Sequence, residues 1–324
     1  MKRVLAILFS VALVAAAIVV RSRFLQQDNT GSADTSTTSK VAGGRLRLLC
    51  EVEFQRVCNQ VALAGKIVIS ATESAATTAD RLAADPDAAA KTFDAWLVPA
   101  AWLALVNDNS AATVFASPVT IARSPLTVVG LATRLDLLTA ACSGRLSWSC
   151  LLDRAGKPWS DVGGDATFGA LKLAPSGSGA DGFDLAVLGQ VFAATNEDDN
   201  AFRAAARRMR TAAPGLANST NPLRELLIQP RSSYDVVGVP EVVAVAEVPV
   251  GSELVRRPID PPVTVDVAVV PVSGRKLDKD QIDALRKALI DAGWKAPGDT
   301  GDKSGLPGGR PLFRVRDLWR EVTR

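Results

Sequence analysis

The chain contains no histidine. That absence removes Ser-His-Asp and Cys-His catalysis, histidine general bases and most catalytic zinc sites, and neither a nucleophile motif nor a singled-out pair of carboxylates replaces them. We therefore expect neither an enzyme nor a bound cofactor. Cysteine is scarce: there are four, at positions 50, 58, 142 and 150. Each close pair is eight residues apart, wider than the CxxC-like spacing of zinc knuckles, which argues against a metal site. The P-loop signature GxxxxGK[ST] is absent. So is a large excess of either charge: 37 Lys and Arg stand against 34 Asp and Glu, a net charge of +3. A nucleic-acid partner is not expected from that balance.

What is present starts with an apolar run. Lys2 and Arg3 precede Val4 to Val20, which carries no charge and closes at Arg21 and Arg23. A run of about 17 residues is the lower edge of what spans a bilayer, and the arginines behind it favour an uncleaved anchor, with a cleaved signal peptide as the alternative. From Gln26 to Gly44 the sequence QQDNTGSADTSTTSKVAGG offers almost nothing to bury and reads as a flexible tether. We expect a signal or transmembrane helix over 1–24, a tether over 25–44 and an α/β domain over 45–324. The chain is placed at the cell membrane as a single-pass protein with its folded part outside the cytoplasm, or as a secreted one after cleavage. In an exported protein Cys50–Cys58 and Cys142–Cys150 are the natural disulfides, and both intervening segments allow the turn that an eight-residue separation needs.

Along the folded part, RLRLLC reads as a strand, EVEFQRVCNQVALAG as a helix, KIVIS as a buried strand, ATESAATTADRLAAD as a helix and FDAWLVP as a third strand before AAWLALVND. Strand and helix alternating in this way predict a sheet wrapped by helices, in which ligands bind beyond the carboxyl ends of the strands. Ser117 to Leu131, SPVTIARSPLTVVGL, instead predicts two extended segments in series around Ser124-Pro125, as in a crossover between lobes. SSYDVVGVPEVVAVAE predicts a strand followed by a helix or a second strand. VTVDVAVVPV and DKDQIDALRKALIDAGW complete the pattern as strand and helix. Three polar turns occupy strand-to-helix junctions: Glu51 to Glu53, Ser70 to Ser74, and Ser176 to Gly179 within LKLAPSGSGADGF.

In the segments KIVISATESAATTADRL, DAWLVPAAW, ASPVTIARSPLTVVGL, GKPWSDVGGDATFGALKLAPSGSGADGFDLAVLGQ and YDVVGV, and in their order, the chain resembles type II extracellular solute-binding proteins of ABC importers, in particular actinobacterial membrane-anchored members. The resemblance implies a two-lobed α/β periplasmic-binding-protein-like fold with hinge crossover strands, with one lobe over about 45–120 and 232–324 and the other over about 125–230. It implies a small polar solute held between the lobes, and an ABC transporter permease or another membrane protein as partner. The candidate ligand-binding residues are Glu51, Ser70, Thr72, Glu73, Ser74, Ser124, Ser176, Ser178, Gly179 and Tyr234. For the hydroxyls the competing reading is helix capping. Glu51 and Glu73 do not suit an anion site, because a carboxylate repels a dianion in a dry cleft. Either they point outward, or the ligand is neutral or cationic, or the cleft has lost its ligand and the fold serves as an interaction or regulatory subunit at the membrane.

Overall fold

The computed structural model describes residues 45–103, 114–175, 182–298 and 309–323. The expected N-terminal helix and tether lie outside the described residues, and no helix among those described is long and apolar enough to cross a membrane. Arg45–Arg324 forms one compact unit.

The first half of the sheet begins with β1 (Leu46–Glu51), whose residues are buried except Arg47. A 3-10 turn, Val52–Phe54, leads into α1 (Gln55–Leu63). Strand β2 (Ile67–Glu73) runs parallel to β1 at the edge of the sheet, followed by α2 (Ala75–Ala84), the short α3 (Pro86–Ala90) and the fully buried β3 (Ala95–Pro99), also parallel to β1. Pro86 opens α3 behind the Asp85 cap, as its missing N–H permits. KIVIS was expected to be buried, but at the edge only Ile67 of β2 is fully covered and Val68 and Ser70 face solvent. Position in the sheet overrides the apolar composition there.

The second half is built on β4 (Val119–Leu131), one continuous strand of 13 residues rather than two in series. Its first part pairs antiparallel with β8 (Thr264–Pro271) as far as Pro125, and from Leu126 onward it pairs with β6 (Val236–Pro240) and β7 (Leu254–Pro258). Partners change at Ser124-Pro125-Leu126, where the sequence places the crossover. Strand β8 continues to β3, so the sheet is ordered β2-β1-β3-β8-β4-β6-β5, with β5 (Leu173–Ala174) parallel to β6. Strands β6 and β7, which fall within the sequence range expected for the first lobe, pair with the far half of β4.

Helices α4 (Ala132–Ala141), α5 (Trp148–Arg154), α6 (Asp184–Ala194), α7 (Asp199–Ala212) and α8 (Pro222–Ile228) cover the second half. PEVVAVAE resolves into the end of β6 and α9 (Glu241–Glu247). Helix α10 (Lys279–Asp291) packs on α1 and starts with a capping box between Asp278 and Gln281. The last helix, α11 (Gly309–Thr323), lies on α6 and α7. Both expected disulfides are formed, Cys50–Cys58 between β1 and α1 and Cys142–Cys150 between α4 and α5. Each closes a short loop, worth about 2–3 kcal/mol on the chain-entropy account.

Candidate functional site

The carboxyl end of β1 and the start of α6 meet. Glu51, the last residue of β1, is fully buried, and its Oε2 accepts from the Glu53 N–H at 2.8 Å. Its Oε1 is buried without a well-formed hydrogen bond. Burial pushes the Glu51 carboxyl up to about 7, against hydrogen bonds from the Glu53 backbone and side chain and from the Ala75 and Val52 backbone. The Cys50–Cys58 bridge clamps the turn on which both glutamates stand.

Gly182 is held to this turn from three sides. Its N–H donates to Glu53 Oε1 at 3.2 Å, its carbonyl accepts from Trp102 Nε1 at 3.0 Å, and a Cβ placed on it would come within 2.7 Å of Glu53 Oε2 and 3.0 Å of Glu51 Cδ and Pro99 Cγ. Only glycine permits so close an approach. Phe183 follows, with ring centroids 5.8 Å from Phe54 and 5.7 Å from Trp294. Beyond it opens a cavity of about 210 Å³ lined by Glu53 on one side and, on the other, by Asp184 and Val187 of α6, Leu223 of α8, Val237 to Pro240 of β6, and Val243 and Glu247 of α9.

The expected site residues are placed as follows. Glu51 turns inward and belongs to this cluster. Glu73 stands beside it in the β1–β2 register, yet its Oε1 is bound to Arg81 at 2.5 Å and to the Thr78 hydroxyl at 2.8 Å, so it ties β2 to α2. Ser74 caps α2, accepting from the Thr77 N–H at 3.2 Å. Ser70 is exposed on the edge strand, and Thr72 is partly covered two residues on. Ser124 is buried in β4 and accepts from the Val242 N–H at 3.1 Å, fixing the start of α9 to the strand. Tyr234 is buried near Ser219 and Glu225, its hydroxyl pushed up to about 12 by burial, and it does not line the cavity. Ser176, Ser178 and Gly179 lie outside the described residues. The sequence marked Glu53 only as the end of the polar turn Glu51 to Glu53, and it singled out none of Gly182, Phe183, Asp184 and Glu247. The signal available was the pairing of a Gly-Phe step with a helix start, opposite an acidic strand end.

Gly177, Gly179 and Gly182 also fall at GxGxxG spacing. The motif's dinucleotide-binding context is missing, because the two-residue β5 precedes it and α6 leads into a second helix, α7, rather than a strand.

No family model matches the sequence, and no curated protein does. Solved structures do. The periplasmic binding protein P5PA matches at a TM-score of 0.51 with 12% identity, over 87% of this chain and 100% of its own. An ABC transporter solute-binding protein from Thermotoga lettingae TMO, bound with α-D-tagatose, matches at 0.52 with 12% identity over 86% and 94%. Iron-bound HitA from Pseudomonas aeruginosa matches at 0.51 with 10% identity over 86% and 99%. The fold is that of a periplasmic binding protein. In that two-lobed fold, the turn at Glu51–Phe54 and the start of α6 face each other from opposite halves of the sheet.

Proposed function

We propose that the folded part is an extracytoplasmic receptor that captures a small polar ligand between its two lobes, held at the membrane by the apolar segment Val4 to Val20 and delivering its ligand to an ABC importer. One observation carries this reading: the cavity at the end of β6 and the start of α6 has walls from both halves of the sheet, with Glu53 facing residues of α6, α8 and α9. Ligands of α/β proteins sit at such strand ends and helix starts. The likeness to receptors of sugar and iron supports the class of function and leaves the ligand open. The chain from Ser176 to Gly179, which leads to Gly182, is part of the proposed site.

A second reading has its own support. Glu53 accepts the Gly182 N–H and Phe183 packs against Phe54 and Trp294, so protein groups fill the seam where a ligand would be clamped. A closed fold of that kind suits an interaction subunit at the membrane. Thermal unfolding against a panel of oxyanions, sugars, amino acids and amines separates the two. A true ligand at 100 times its dissociation constant stabilises by roughly 2.7 kcal/mol. A receptor responds to at least one compound class, whereas an interaction subunit responds to none.

A further inference from the structure

Glu51 and Glu53 bring two carboxyls to one place under Gly182. Glu53 Oε2 and Glu51 Cδ come within 2.7 and 3.0 Å of the point that a Cβ on Gly182 would take. Each carboxyl commits one oxygen to a backbone N–H: Glu51 Oε2 accepts that of Glu53, and Glu53 Oε1 accepts that of Gly182. The remaining oxygens, Glu51 Oε1 and Glu53 Oε2, are both buried. The two side chains lie within hydrogen-bonding reach of each other. Carboxylates only accept, so a bond between them requires that one of the pair carries a proton. Charged groups on the elements packed around the pair are engaged elsewhere. Glu73, beside Glu51 in the strand register, is bound to Arg81; Lys295, next to Trp294, is bound to Glu241; Arg316 of α11 reaches Asp80 and lies over the Trp102 ring. The first turn of α2 brings only the Ala75 N–H, and Asp184, in the first turn of α6, is a further acid.

We propose that Glu51 and Glu53 share one proton, and that the pair is a pH-sensitive joint between the β1 turn and the Gly182–Phe183 segment that leads into α6. With the proton in place the two carboxyls stay together, and Glu53 holds the Gly182 N–H. When the proton leaves for water, two like charges face each other in a dry site and are driven apart. The turn that carries them is clamped by the Cys50–Cys58 bridge. Glu53 borders the cavity beside Phe183, so its carboxylate has a space to turn into, and the link to Gly182 is what gives way. Burial holds the Glu51 carboxyl up at about 7, so the joint is intact below that pH and loosens above it. It needs no ligand, and it stands whether the protein is a receptor or an interaction subunit.

The test is hydrogen–deuterium exchange of the full-length protein, read by mass spectrometry at about pH 6 and about pH 8, with each rate divided by that of the unfolded chain at the same pH. In the wild type, protection of the segment carrying Gly182 and Phe183 is expected to fall about tenfold from the lower pH to the higher, the equivalent of one pKa unit, while α7 keeps its protection. Glu51→Gln gives Glu53 a permanent N–H donor without a charge, and is expected to hold the segment equally at both pH values. Glu53→Gln does the same from the other side, its amide oxygen taking the Gly182 N–H, and keeps the test open where the first variant does not fold. Unchanged protection in the wild type overturns the proposal. A fall that the glutamine variants share with the wild type also overturns it, because other groups then titrate. A fall of equal size in every segment is global unfolding and overturns a local joint.

Discussion

Glu51 is the residue whose chemistry departs most from its ordinary behaviour. It stays fully buried because β1 delivers it under the Gly182–Phe183 step, and burial holds its carboxyl near 7 where an exposed glutamate sits near 4.5. A carboxyl with a raised folded pKa binds more protons folded than unfolded between those two values, so stability falls as pH rises through that window. The cost is absent below about pH 4.5 and complete above about 7, of order 3 kcal/mol. Glu51→Gln is therefore expected to gain stability over the native chain at pH 8 and little at pH 4.5, read by urea denaturation at both. The reverse ordering would show that Glu51 is ionised in the folded state throughout. The hydroxyls behave differently. Ser74→Ala is expected to cost about 1 kcal/mol through loss of the α2 cap, with ligand response unchanged. At this scale the sequence was legible in type but not in direction. It marked Glu51, Glu73 and Ser74 together as polar residues at strand ends, yet only the fold shows that Arg81 takes Glu73, that Thr77 takes Ser74, and that Glu51 alone turns inward.

Among the elements, β6 and the helices around it depend on a buried ion pair that no local pattern announces. Asp235, just before β6, pairs with Arg134 of α4 and accepts from Trp159 Nε1 at 3.1 Å and the Lys172 N–H at 2.7 Å. The Arg134 guanidinium lies 4.7 Å from the Phe168 ring centroid. Removing one partner strands the other's charge in the core. Arg134→Met is expected to cost about 3–5 kcal/mol by chemical denaturation, and a loss below 1 kcal/mol would show that water reaches Asp235. The partners are 101 residues apart, a long-range pairing that periodicity cannot reveal. What periodicity did reveal is considerable. The β-branched run of β4 was seen as extended on both sides of Ser124-Pro125, and the partners change there. Its reading as two segments failed because Pro125 is accepted within a single strand, paired with Thr264 at the end of the β8 ladder. The order of strands, and with it the placing of β6 and β7, is a matter of tertiary pairing.

For the whole molecule, two sets of contacts join the two halves of the sheet. Phe183, just before α6, is buried against Phe54 and Trp294, a packing contribution of roughly 2 kcal/mol. Helix α11 adds a strap: Trp319 packs on Phe202 of α7 while Arg316 reaches Asp80 on α2 at 3.4 Å and lies over Trp102. In the proposed receptor, a ligand that closes the lobes has to bind the closed form better than the open one. The proposed ligand site is the cavity between Glu53 and α9, and filling that cavity tests this placement most directly. Val239 lines it from β6, and a tryptophan there occupies the space. The measurement is the thermal shift of wild type and Val239→Trp side by side against the same ligand panel. At least one compound is predicted to stabilise the wild type and none the folded variant; a compound that stabilises both equally, or a wild type that responds to nothing, would contradict it.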